Sequence, residues 1–331
     1  MNKLDILAIG DITTDAFIRI KDARVSCDIN NENCQICMKF ADKIPYESVD
    51  IINAVGNSPN AAVSVTRLGA NASLVSNVGD DQNGKECLGV LTENGVSADY
   101  VKIHEGKKTN YHYVLWYEAE RTILVKHEEF PYALPPKIPE PAWIYLSSLG
   151  ESALSFHDEI ETYLMEHPRV LLAFQPGTFQ LKIGKERLAG IYKRTHVFVC
   201  NVEEARKILS LPNADIKTLL REMHSVGPTL VAITDGPKGA YASDGTHAWF
   251  MPIYPDPAPP LERTGCGDAF ASTFVTALQM GKSFEDALMW APINPMNVVQ
   301  HVGAQRGLLT KEQLLELLSK APANYKPSRI Y

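Results

Sequence analysis

The sequence has no window approaching the roughly 18 consecutive apolar residues of a membrane-spanning helix, and Asp5, Asp11 and Asp15 break up its first twenty positions. A membrane span and a signal peptide are therefore not expected, and the cytoplasm is the expected location. A block of Lys or Arg is missing as well: 32 basic residues are scattered among 39 acidic ones, for a formal charge of -7. Without a cationic stripe to neutralise successive phosphates, nucleic acid is not an expected partner. Cysteine is sparse, six in 331 residues, and a chain this long with 45 % hydrophobic residues can bury a core that needs no covalent staples. All six are expected as thiols. No internal repeat and no low-complexity tail is visible. No GxGxxG follows the first apolar run, which argues against a dehydrogenase that binds a dinucleotide there.

What is present is an alternation of short apolar runs and helical spacing. LDILAIG (4–10) reads as a buried parallel strand, which places Asp11 and Asp15 in the loop at its carboxyl end, where open α/β sheets bind ligands. NAAVSVTRL (60–68) has helical spacing, and ASLVSNVG (72–79) reads as the next buried strand. Further strands are predicted at 143–146, 170–174, 196–200 and 229–234. Residues 17–52 break this rhythm, and TNYHYVLWYEAERTILVK (109–126) has the β-branched and aromatic pattern of a hairpin turning at 118–121. The expected organisation is one α/β core (1–16, 53–100 and 128–331) with a discontinuous β lid (17–52 and 101–127) over a substrate site.

ERTGCGDAFASTF (262–274) is the segment richest in chemistry. It follows a Pro-rich loop and opens a run of helical spacing, so Gly265, Cys266 and Gly267 fall at a helix N-terminus. Free amides there bind anions, and glycines let a phosphate approach the backbone. Asp268 would stand beside that anion, an awkward place for a carboxylate unless it accepts a proton from an attacking hydroxyl. A helix cap beside an ordinary glycine turn fits the same letters.

Four separated segments favour the first reading, because the chain resembles the ribokinase-like, or PfkB, family of sugar and nucleoside kinases over nearly its whole length. In ILAIGDITTD (6–15), Asp15 matches the family aspartate that bonds substrate hydroxyls. In VGNSPNAAVSVTRLG (55–69), Gly56 and Asn60 match the N-terminal signature, with Val55 where the first of two glycines is usual. In NVEEARKIL (201–209), Asn201 and Glu204 match the motif that organises Mg²⁺ and its waters near the phosphates. In ITDGPKGAY (233–241), Thr234, Gly236 and Gly239 match a nucleotide-binding turn.

TGCGDAF is similar to the C-terminal signature, which implies Asp268 as catalytic base and the amides of Gly265, Cys266 and Gly267 as its anion hole. Pro292 and Asn294 fall near positions facing adenine. Glu262 stands where the family usually has an aspartate that in many members helps hold a monovalent cation; its longer side chain would shift or abolish a K⁺ site.

The resemblance thus implies a three-layer α/β/α, Rossmann-like fold with a mostly parallel sheet and a small β-rich lid. It implies an ATP-dependent kinase acting on a sugar or sugar-like hydroxyl. A nucleoside acceptor, or an idle nucleotide- or sugar-binding sensor, are the alternatives; an intact Asp268, Gly265 and Gly267 argue against the sensor. A homodimer formed through the lid is a further expectation, since exposed strand edges invite a partner. Cys34 and Cys37, with Cys27 nearby and His104, His112 and His127 elsewhere, invite a zinc reading, but no second CxxC completes four ligands.

Overall fold

Leu4 to the carboxyl end of the chain forms three sheets, of ten, four and two strands, in the computed structural model, which describes residues 4–28, 34–118 and 120–331. In chain order the strands are β1 (Ile6–Ile9), β2 (Thr13–Ile20), β3 (Arg24–Ser26), β4 (Gln35–Cys37), β5 (Tyr46–Val55), β6 (Ala72–Gly79), β7 (Val101–His104) and β8 (Asn110–Tyr117). There follow β9 (Glu120–Leu124), β10 (Trp143–Leu146), β11 (Leu171–Phe174), β12 (Thr195–Asn201), β13 (Leu230–Thr234), β14 (Ala240–Ser243), β15 (Ala248–Met251) and β16 (Ser328–Arg329).

The central sheet has the order β16-β15-β14-β13-β12-β11-β10-β1-β6-β7, parallel from β13 to β7 and antiparallel at the β14 to β16 edge. Strands β1 and β11 are apolar at every position because both faces of the sheet are covered there. Along β1, Ile6 and Ala8 pack into one core while Leu7 and Ile9 pack into the other. Helices Asn57–Arg67 and Cys266–Gln279 contribute to the first core; Leu154–Glu166 and Ile216–Val226 contribute to the second. This is the three-layer α/β/α arrangement expected from the alternation.

The four-stranded sheet, β5-β2-β8-β9, corresponds to the segments expected as the lid. It begins earlier than the sequence suggested: β2 leaves the central sheet at Thr13, so Asp15 sits within a strand and not in the loop after β1. Conversely, Val101–His104 was assigned to the lid from the sequence but pairs with β6 at the edge of the central sheet. Four residues next to a long hairpin carry too little periodicity to reveal which sheet they join. The hairpin itself turns at Glu118, which adopts a φ of 55°.

The cysteines depart from expectation. The antiparallel pairing of β3 with β4 brings Ser26 opposite Gln35, so the flanking Cys27 and Cys34 meet and form a disulfide. Cys37, Cys87, Cys200 and Cys266 are thiols. No group of three or more metal-ligating side chains occurs among the described residues. The three histidines of the zinc reading are spread out: His104 Nε2 lies 2.8 Å from Asn77 Oδ1, while His112 and His127 stand beside Asp15 and Asp11. No helix among the described residues is long and apolar enough to cross a membrane.

Candidate active site

Five strand ends converge on one cleft. Asp11 follows β1, Ser148 follows β10, Gln175 follows β11, Asn201 ends β12 and Thr234 ends β13, and all five line a cavity of about 600 Å³. Parallel strands all present their carboxyl ends to the same side, which is why residues so far apart in sequence meet there. A second cavity of about 530 Å³ has largely apolar walls, among them Ile253, Tyr254, Phe270, Met296 and Val299. The two cavities share Asn201, Thr234, Arg263 and Gly267, so they meet at the N-terminus of helix Cys266–Gln279.

That terminus has the geometry the motif suggested. Gly265 is the N-cap with φ 79° and ψ 0°, a left-handed conformation that a side chain disfavours. A Cβ there would lie 2.6 Å from Ala304 Cα, so the turn and the Ala304 backbone are packed too closely for anything larger. The first amides of the helix have no intrahelical acceptor and carry the positive end of its dipole. Burial drives the Cys266 thiol up to about 12, which keeps it protonated and leaves it a small side chain beside the amides.

Asp268, in the first turn, is 8 % exposed and accepts three side-chain amides: Asn57 Nδ2 at 2.7 Å and Gln175 Nε2 at 3.0 Å on Oδ1, and Asn60 Nδ2 at 2.8 Å on Oδ2. Burial raises its pKa above the ordinary carboxylate range, while these donors and the Arg121 guanidinium oppose the rise. Gln175 is itself held by the buried Tyr145 hydroxyl, which donates to Oε1. The sequence reading gave Asn60 to the substrate. In the structure its amide is occupied at both ends, donating to Asp268 and accepting from Gln305 Nε2 at 3.0 Å.

Gly56, the N-cap of helix Asn57–Arg67 at φ 122°, lines the first cavity and backs so closely on Asp11 that a Cβ would meet its carbonyl oxygen at 2.5 Å. Asp15 lines the same cavity from the lid. Asn201 and Glu204 form a capping box: Glu204 N donates to Asn201 Oδ1 at 2.8 Å and Asn201 N donates to Glu204 Oε2 at 2.9 Å. Burial, and secondarily the charge of Asp268, raise the Glu204 pKa. A buried Glu204 carboxylate close to Asp268, beside an anion-binding terminus, offers the oxygen-donor chemistry of a hard divalent cation.

Gly236 and Gly239 line the second cavity with positive φ values of 52° and 101°. Pro292 lines it too. Asn294 is buried and spent on internal bonds, donating to Thr273 Oγ1 at 2.8 Å and accepting from Leu309 N at 2.8 Å. Glu262 is 2 % exposed and both its oxygens accept the Thr264 N–H, at 2.7 and 3.0 Å, closing the turn ahead of the anion-binding amides. Burial raises its pKa. The Thr264 hydroxyl beside it is buried without a partner.

Sequence reasoning missed Asn57, Gln175, His127 and Arg121 as residues of this site. Asn57 was within reach, being three residues before Asn60 and on the same helical face. Nothing local marks the other three.

The sequence pattern of the pfkB family of carbohydrate kinases matches residues 52–311. The chain belongs to the pfkB family. A ribokinase of Bacillus subtilis is 28 % identical over 272 residues, covering 80 % of this chain and 87 % of that protein. A cytidine kinase of Thermococcus kodakarensis is 28 % identical over 245 residues, covering 70 % and 83 %. The solved structure of an Arabidopsis thaliana ribokinase with ribose and ATP superposes with a TM-score of 0.79 over 96 % of this chain and 99 % of that one, at 19 % identity. The fold is therefore that of the ribokinases. As a pfkB kinase the protein is an ATP-dependent phosphotransferase with an alcohol group as acceptor.

Proposed function

We propose that the protein transfers the γ-phosphoryl group of ATP to a hydroxyl of a small sugar or sugar-like acceptor, with Asp268 as general base. The observation that carries this reading is the position of Asp268: a buried carboxylate in the same first helical turn as the free amides, lining the polar cavity next to Gly267, which the apolar cavity shares. The apolar cavity, with the turn from Thr234 to Gly239, takes the nucleotide, and the polar cavity takes the acceptor.

Asp15 accepts acceptor hydroxyls from the lid side, with Gly56 allowing close approach. Asp268 takes the proton of the attacking hydroxyl; its raised pKa suits it to hold that proton. Asn57, Asn60 and Gln175 aim the carboxylate, so reorganisation on proton transfer is small. The amides of Gly265, Cys266 and Gly267 stabilise the charge that develops on the transferring group.

Mg²⁺, held through water by Glu204, would supply charge neutralisation at the phosphates. A monovalent cation such as K⁺ would be held beside Glu262, where a buried carboxylate adjoins a Thr264 hydroxyl that has no partner. The outer face of the lid carries an apolar row at Ile51, Tyr113 and Leu124, each about half exposed, and this supports pairing of two copies through the lid.

A nucleoside acceptor is the second reading, favoured by Phe17, Ile123, Val125 and Phe179 on the wall of the acceptor cavity, which could flank a base. An ADP-release screen over sugars and nucleosides with ATP and Mg²⁺, with and without K⁺, separates the two. Stoichiometric phosphorylation of a sugar is expected, and turnover confined to nucleosides would transfer the assignment to the second reading. ATP binding with no acceptor turned over would leave only a sensor.

A further inference from the structure

Two imidazoles face the acceptor cavity, and each has an aspartate behind it. β2 and β8 run in parallel with Asp15 opposite His112, so both side chains emerge on the cavity side of the lid sheet. His112 Nδ1 lies 3.3 Å from Asp15 Oδ1. His127, past the end of β9, places Nδ1 3.0 Å from Asp11 Oδ2, and Asp11 is held from behind by the Tyr132 hydroxyl at 2.9 and 3.0 Å. The two rings lie 5.3 Å apart, centroid to centroid. The second ring also meets Phe179 edge-on at 5.4 Å.

The polar inventory of this wall is incomplete in a particular way. Asp15 is 6 % exposed, and its Oδ1 has no hydrogen-bond partner: the His112 ring is close to it but off line. His112 Nε2 is likewise buried and unpartnered. Leaving either atom dry and unpaired is costly, so a ligand that satisfies both would be gripped there. When Nδ1 carries the ring proton, Nε2 is an acceptor in the neutral ring or a donor in the charged one. A hydroxyl group answers both states, because it donates and accepts. A carbonyl or an ammonium answers only one.

We propose that His112 is a specificity-determining residue for the acceptor, acting with Asp15 as a two-point clamp on adjacent hydroxyl groups, and that His127, held by Asp11, extends the same reading face. The class of acceptor this selects is a polyol with neighbouring free hydroxyls at the end that enters the lid. A deoxy analogue missing a hydroxyl there is refused because Nε2 or Oδ1 stays unpaired. The proposal rests on the acceptor site assigned above, but it concerns binding and can be read without turnover.

The test is calorimetry of a panel of sugars, nucleosides and their monodeoxy analogues against the full chain and its His112→Phe variant, alongside kcat and KM for whichever acceptor is phosphorylated. A parent polyol should bind the unaltered protein at least ten times more tightly than one particular deoxy analogue. His112→Phe should weaken the parent about tenfold and bind parent and analogue alike, with the change falling on KM more than kcat. His112→Gln, which returns a polar atom near the Nε2 position, should recover part of the discrimination and guards against a merely misfolded Phe variant. Unchanged discrimination in a folded His112→Phe protein overturns the proposal, as does failure of every polyol to bind. Discrimination in binding without any phosphoryl transfer would instead uphold the clamp and remove the kinase assignment of this site.

Discussion

Asn57 Nδ2 lies 2.7 Å from Oδ1 of Asp268, one of three carboxamides aimed at a single buried carboxylate. Burial raises the pKa of Asp268 and these donors restrain it, because a hydrogen bond to the charged form favours that form. Removing one donor lets the pKa climb further. Since the base works deprotonated, Asn57→Leu should move the acidic limb of the kcat/KM profile to higher pH, with less than about a tenfold loss on the plateau. A limb that stays in place in this variant would show that the group titrating there is not Asp268.

Asp268→Asn should lower turnover about a hundredfold or more while nucleotide affinity is largely kept, as expected when a general base is lost and the anion-binding amides remain. Single-turnover kinetics together with ATP titration measure the two separately. Near-normal turnover would remove Asp268 from the mechanism.

At Glu204 the sign of the linkage runs against stability. Its folded pKa is raised, so between the ordinary carboxylate range and that raised value the folded protein keeps a proton that the unfolded chain has released. Stability therefore falls as pH rises through this window. Glu204→Gln removes the charge yet keeps an acceptor for the Asn201 N–H. Without ligand the variant should melt roughly 1–3 °C above the parent at pH 8, with the gap closing as pH falls. It should also need more Mg²⁺ for half-maximal turnover. A lower Tm at pH 8 would mean that the capping contact requires the carboxylate.

Gly265→Ala and Cys266→Ala separate backbone from side chain at the helix start. The first puts a methyl group at a left-handed φ and against Ala304, and is expected to cost at least tenfold in kcat/KM or to lower the yield of folded protein. The second removes a protonated thiol where only the amide is used, and activity should stay within about threefold. Equal losses in both would place the thiol itself in the site.

Light scattering on the parent and on Tyr113→Glu tests pairing through the lid. The parent should be dimeric at micromolar concentration and the variant monomeric, because a charge in the middle of the apolar row opposes burial of that face. A monomeric parent ends the proposal.

What the sequence disclosed and what it withheld follow from how local each signal is. The turn at Gly265, the helix after it and the inner strands are marked by glycine and by apolar period, both written in neighbouring residues. The support of Asp268 is written across the chain: Asn57 and Gln175 lie 211 and 93 residues from it. A carboxamide bears no mark of its distant partner until the strands are ordered. His112 was hidden for the same reason: Asp15 was legible as a substrate residue, but its histidine partner emerges only once β2 is aligned with β8. The disulfide was missed by weighing the whole chain's need for covalent links and not the local one, where two short exposed strands have little core of their own.

The path of β2 has one more outcome. Only Gly10, Asp11 and Ile12 separate the central strand from the lid strand that carries Asp15, whereas Asp268 belongs to a helix of the core. In the proposed mechanism, recognition and proton abstraction thus fall to opposite jaws, the lid sheet and the core. Water is always present as a rival nucleophile, but a single molecule is too small to bridge the jaws. ATP should accordingly survive in the ligated enzyme until an acceptor spans both, and wasteful hydrolysis should be slow.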